Sequence, residues 1–364
     1  MVIRVIRKIS RRRLVNKLFI ISHLLFSAVL FASCSLMKED RSDCPDCRNP
    51  LRITLRYDYN TMRANMFADH VEEATVYVVD PETNAIVDFQ TSRNTTESKP
   101  LREPLFGFNF EELPSGYYRL YASARSAADA AISVSELGIA ESIRSLTYTL
   151  PTSTPAQRLD TVWNTLQPVD VYLTEKEPAE ATIGLMRLTN DLNVMVFRRD
   201  NPLDNGHERY DVSVTDEHSQ LDYDSNPTAT GTVVYSPIAA WTTETYVDDL
   251  DSSIQHVIAE RNAHYDFSLF RLINSKDTRH NPRLIIRNHE TGHTIVNIDL
   301  CYYLSLARNA YEIQNYSPQE YLDREYDYRL DFGIEGSGPD ETWKYMTISI
   351  NVLSWAIRIQ NEDL

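Results

Sequence analysis

The residues whose types and spacing could do chemistry are His289, Glu290 and His293, because His289-Glu290-Thr291-Gly292-His293 has the H-E-x-x-H pattern of zinc hydrolases. On an α-helix, positions i and i+4 share a face, so two imidazoles can grip one metal while the glutamate polarises the attacking water. Off a helix the spacing carries no such meaning. The flanks therefore decide. Arg283 to Arg287 is short, apolar and rich in β-branched residues, and Thr294 to Leu300 alternates as a half-buried strand does. Gly292 would cost a helix roughly 1 kcal/mol relative to Ala, whereas it readily supplies the positive φ of a hairpin loop. No further glycine and histidine follow at the metzincin spacing. The pattern predicts a solvated hairpin turn and no zinc.

Other candidate sites weaken in the same way. Asp222-Tyr223-Asp224-Ser225-Asn226 imitates the start of a calcium loop, but Pro227 stands where the loop needs glycine and Val233 where it needs the bidentate glutamate. An Asx-rich turn is the expectation there, and a solvated loop for Asp248-Asp249-Leu250-Asp251. Cys44-Pro45-Asp46-Cys47 is a C-x-x-C, yet Arg48-Asn49-Pro50 and a strand follow it instead of the helix N-terminus that would lower a thiol pKa. A local disulfide, a bond to Cys301 and an inert thiol all stay open. With no Walker loop, dinucleotide fingerprint or G-x-S-x-G elbow, no catalytic residue, cofactor or metal ligand is expected.

The amino end is of another kind. Residues 1–33 hold seven basic side chains and no acidic one, followed by the apolar run LFIISHLLFSAVLF and by Phe31-Ala32-Ser33-Cys34. This predicts a secretory leader ending in a bacterial lipobox, with Phe31 where leucine is usual and cleavage before Cys34. Acylation of Cys34 by two or more chains would anchor the protein firmly. Without the leader, Lys+Arg falls from 36 to 29 against 52 Asp+Glu, a net charge of about −23. Such a surface repels phosphate backbones, so no nucleic-acid partner is expected.

The elements that must position any site read as strands. Residues 34–50 form a polar, proline-punctuated tether. Leu51, Ile53, Leu55 and Tyr57 alternate with polar residues, and strand patterns recur at 74–79, 117–122, 191–197, 210–214, 231–235, 283–300 and 345–359. Residues 124–146 suggest short helix or loop, Tyr303 to Ile313 one helix, and Ser317-Pro318-Gln319-Glu320 a capped helix start. Charge accumulates at Thr174 to Glu180, which sets an expected boundary between domains 51–175 and 176–364. The fold class is all-β, two Greek-key β-sandwiches with short helical insertions. In the last strands Met346, Ile348, Ile350 and Val352 share one face, Thr347, Ser349 and Asn351 the other, and Trp355, Ile357 and Ile359 repeat the period.

The stretch from Cys34 to Pro45, CSLMKEDRSDCP, with the strand Leu51 to Leu55 after it, resembles the mature start of the FimB-type fimbrial anchor family of type V pili. The strand, Asp-containing turn and strand at Val76 to Val87 agree with it. So do Gln319 to Glu325 with Tyr326-Asp327-Tyr328, and the ending Val352 to Arg358. The resemblance implies a non-enzymatic, two-domain, transthyretin-like lipoprotein of the outer membrane. Attached through Cys34, it would hold the base of a fimbria, limit its length and join fimbrial stalk subunits by strand complementation. It also implies that the C-terminal strand is the one free to donate, and that Lys38-Glu39-Asp40 is similar to a surface-export signal. A surface glycan-binding lipoprotein and a stalk or tip pilin are the rival readings.

Overall fold

The structure is a computed structural model that describes residues 50–127, 131–174, 177–247, 257–350 and 356–360. Cys34, Cys44 and Cys47 lie outside the described residues. In chain order the strands are β1 (Leu51–Arg56), β2 (Glu73–Val79), β3 (Ile86–Arg93), β4 (Phe108–Phe110), β5 (Gly116–Arg125), β6 (Ser133–Val134), β7 (Thr147–Thr149), β8 (Val162–Thr165), β9 (Val169–Leu173) and β10 (Ala179–Arg187). There follow β11 (Thr189–Arg198), β12 (Tyr210–Asp222), β13 (Pro227–Tyr235), β14 (Ala239–Val247), β15 (Val257–Phe270), β16 (Arg283–Asn288), β17 (Thr294–Asp299), β18 (Asp327–Glu335), β19 (Thr342–Ile350) and β20 (Ala356–Gln360). The short α-helices among the described residues are α1 (Phe67–His70), α2 (Leu300–Ser305), α3 (Ala310–Asn315) and α4 (Pro318–Arg324). The fold is all-β, as the alternation predicts.

Alternation works as a burial code along β1, where Leu51, Ile53 and Leu55 are buried and the residues between them are not. Its sheet has the order β3-β2-β5-β8-β10-β1-β4, with β9 also pairing with β5. β1 runs parallel to β10, Leu51 opposite Ala179 and Arg56 opposite Gly184. The β1 side chains pack with Val76 and Val78 of β2 and Leu120 and Ala122 of β5, so the sheet folds over on one apolar cluster that also holds Trp163.

Two further sheets have the orders β14-β15-β11-β18-β19-β20 and β17-β16-β12-β7-β6, with β13 on β12. Their inward faces share a second cluster: Val194, Phe267, Leu330 and Ile348 from one, Val212, Val233, Ile286 and Val296 from the other. Each such fully buried side chain stabilises by about 1.5–3 kcal/mol. This is sheet-on-sheet packing.

One local expectation changes, and two other stretches gain detail. Tyr303 to Ile313 is not one helix but the end of α2, a break, and α3. Asn309 starts α3 with a capping box, its side chain accepting from the Glu312 N–H at 3.1 Å while Glu312 accepts from the Asn309 N–H at 2.8 Å. Within 124–146 there is no α-helix among the described residues. β5 runs on to Arg125, β6 and the single turn at Ile143–Ser145 follow, and β7 continues to an antiparallel pairing with Gln220 to Asp222. Finally, β10 begins beyond residue 176 yet pairs with β1 and β8 in the first sheet.

Candidate functional site

The His289 to His293 segment is the turn between β16 and β17, as its flanks predict. Gly292 takes φ +68°. The Asn288 side-chain oxygen accepts the N–H groups of Glu290 and Thr291 at 3.0 Å each, and the Asn288 carbonyl accepts that of Gly292 at 2.9 Å. The two imidazoles are tied to different partners. His289 Nδ1 lies 2.9 Å from Asp211 Oδ1 on β12, and His293 Nε2 lies 3.0 Å from the Glu341 carbonyl ahead of β19. Among the described residues no group of three or more His, Cys, Asp or Glu side chains could hold a metal. The calcium-like stretch is also a turn: Asp222 Oδ1 accepts the N–H groups of Asp224 and Asn226 at 3.0 and 2.8 Å.

Sequence reasoning missed the group that organises this end of the molecule, Glu341. Its carboxylate is fully buried. Oε1 accepts from Arg198 Nη1 at 2.9 Å and from Arg209 Nη2 at 3.1 Å, and Oε2 accepts from Asn288 Nδ2 at 2.7 Å. Burying a charge is unfavourable unless it is paired and hydrogen-bonded, and both conditions are met here. Arg198 comes from β11 and Asn288 from β16, so one carboxylate joins the two facing sheets at the start of β19. No sequence signal reveals it, because the three donors are 143, 132 and 53 residues away.

β19 and β20 form the edge that the sequence singles out. Met346 pairs with Phe332 on one side and Ile359 on the other, and Ile348 with Leu330 and Ile357. Met346 and Ile348 are fully buried in this chain's own second cluster. Ile350 lies opposite Tyr328 in the ladder, while Val352 and Trp355 lie outside the described residues. β20, with Ile357 and Ile359, is the outermost strand of its sheet among the described residues, hydrogen-bonded to β19 alone. An edge strand of this kind leaves one row of backbone donors and acceptors unused.

The segment Gln319 to Glu325 fixes the loop after β1. Thr61 donates its N–H to the Arg324 carbonyl at 3.2 Å and its hydroxyl to Glu325 Oε2 at 2.8 Å, and the Arg324 guanidinium lies 3.9 Å from the centre of the Tyr59 ring. Asp323 accepts both Nε and Nη2 of Arg271 at 2.7 and 2.8 Å. Burial raises the Glu325 carboxyl pKa above its usual value. Cys301, on α2, is buried without a disulfide partner among the described residues, and burial raises its thiol pKa well above the usual range, the opposite of a reactive thiolate. No described helix is long and apolar enough to cross a membrane.

The fold is similar to that of solved bacterial proteins. A candidate adhesin from Bacteroides thetaiotaomicron is 22% identical with a TM-score of 0.68, covering 86% of this chain and 98% of that one. A candidate polysaccharide-binding protein from the same organism is 23% identical with a TM-score of 0.66, covering 87% and 100%. The fimbrial anchor protein Mfa2 from Porphyromonas gingivalis is 15% identical with a TM-score of 0.57, covering 85% and 98%. No curated protein matches the chain in sequence. The profile of the fimbrillin-A associated anchor proteins Mfa1 and Mfa2 does match, over residues 41–361. With that match along most of its length, the chain belongs to the family of fimbrillin-A associated anchor proteins.

Proposed function

We propose that this chain is an outer-membrane lipoprotein, acylated at Cys34 and exposed at the cell surface, that holds the base of a fimbria and limits its length. It is a structural protein, not an enzyme, in keeping with its family. The observation that carries the reading is the family match from residue 41 onward, which begins just beyond Cys34 and its basic, apolar leader. In this reading residues 51–175 and 176–364 are the two domains, with β10 shared between them. β20 is the strand exchanged with fimbrial stalk subunits, because it has one ladder partner and its backbone can pair as well with another chain.

Cell fractionation of a Cys34→Ala variant tests the lipid anchor. The variant should leave the outer-membrane fraction, and fimbriae should be shed with it. Continued incorporation of labelled fatty acid into the variant would remove Cys34 from the proposal.

A further inference from the structure

The solvent face of the sheet that ends in β20 carries a groove of about 520 Å³ across β14, β15, β11 and β18. That volume lies in the range of small-molecule sites. The register sets its side chains in rows: Asp266 lies opposite Asn193, and Asn193 opposite Arg329, while Trp241 lies opposite His264 in the next row. The indole of Trp241 stacks on the His264 ring, centroids 5.1 Å apart and planes 7° from parallel. One indole face is thus taken, and Trp241 still keeps 37% of its surface exposed.

The polar groups beside it are held in place. Asn193 Nδ2 donates to Asp266 Oδ1 at 2.7 Å, and His264 Nε2 is fixed by Thr243 Oγ1 at 2.8 Å. Burial first, and then the nearby Arg329, lowers the His264 pKa below its usual 6.5, so the stacked imidazole is neutral at neutral pH. Arg329 is paired with Asp331 at 2.8 Å. The groove therefore offers an open aromatic face beside oriented donors and acceptors, with Arg329 neutralised by Asp331 and the Asp266 carboxylate, held by the neutral Asn193 amide, left to accept from hydroxyls and repel anions. An anionic ligand would have to displace these internal partners and approach a strongly acidic chain of net charge −16. A neutral pyranose matches instead: its C–H face covers an indole, and its hydroxyls both donate and accept.

We propose that this groove binds a neutral sugar ring of a polysaccharide, with Trp241 as the platform and Asn193, Asp266 and Arg329 reading the hydroxyls. The proposal is independent of the anchoring role, since neither Cys34 nor β20 takes part. The test is retention of the purified chain on an immobilised β-glucan, an α-mannan, a galactan and a polyuronate. At least one neutral polymer should retain it, and Trp241→Ala and Asp266→Ala should each weaken retention tenfold or more. Tyr246→Ala, an exposed aromatic on β14 away from the groove, should change nothing. Should Trp241→Ala fail to fold by circular dichroism, Thr243→Tyr, which blocks the groove from an exposed position, serves in its place. Retention by none of the neutral polymers, by the polyuronate alone, or undiminished in the folded groove variants would overturn the proposal.

Discussion

Asn288 donates its side-chain N–H to Glu341 Oε2 at 2.7 Å, and with that bond the hairpin of β16 and β17 is fastened to the loop that begins β19. Both partners are buried, and the neighbouring Arg198 is only 3% exposed. The residues around a protease-like spacing thus serve to hold two sheets together. Removing one member of such a cluster leaves charge and donors stranded in the interior.

Glu341→Ala should therefore destabilise the fold by about 3 kcal/mol, the lower end of the usual cost because Asp200 still holds Arg198 at 3.1 Å. Thermal unfolding followed by circular dichroism measures it. A melting temperature equal to that of the unchanged protein would show that the cluster contributes no net stability.

The His289 to His293 turn should bind no zinc. Elemental analysis of purified protein should find well under one zinc per chain, with no difference in His289→Ala. Gly292→Ala should instead cost roughly 1 kcal/mol of stability, since φ +68° suits glycine and little else. One zinc per chain that disappears in His289→Ala would reverse this reading.

His218 gives the fold a pH dependence. Its Nδ1 lies 2.8 Å from Asp216 Oδ1 in a buried setting, and this hydrogen bond raises its pKa above 6.5 against the opposing effect of burial. A folded pKa above the unfolded one means that the folded state holds the proton more tightly. The contribution is thus complete below pH 6.5 and is lost as pH rises through the folded value. The difference in melting temperature between the unchanged protein and His218→Asn should shrink as pH rises through the window above 6.5. A gap that stays constant across that window would sink the assignment.

What the sequence discloses and what it hides have a common physical origin. Period-2 alternation is local, so β1, β16, β17 and β19 and the turn at Gly292 can be read from a few neighbouring residues. Local capping chemistry likewise marks α4, whose Ser317 side chain accepts the Glu320 N–H at 3.1 Å. Asn309 carries the same kind of signal, yet the apolar run from Tyr303 masks it and makes two helices look like one. The parallel pairing of β1 with β10, the convergence on Glu341 and the row of Asp266, Asn193 and Arg329 all depend on sequence-distant partners. Alternation reports that Met346 and Ile348 are buried. Whose core buries them is a tertiary question, and within this chain it is the core they share with Leu330 and Phe332.

The last prediction concerns β20. Its ladder pairs Tyr345 with Gln360 through to Ser349 with Ala356, so removing it bares the outer edge of β19. If β20 is the strand given to a stalk subunit, a chain lacking residues 354–364 should still reach the membrane through Cys34 but release its fimbriae into the medium. The bland alternative is that β20 only completes its own sheet, in which case the deletion lowers stability and leaves attachment intact in whatever protein still folds. Circular dichroism and a melting temperature on the shortened chain separate the two before fimbriae are counted. A shortened protein that is folded, membrane-bound and still holds fimbriae of normal length would end the donor role of β20 while leaving the lipid anchor in place. Release of fimbriae from a folded, membrane-bound chain, reversed when residues 354–364 are restored, is the expected result, because only then is the donated strand again available to pair with a stalk subunit.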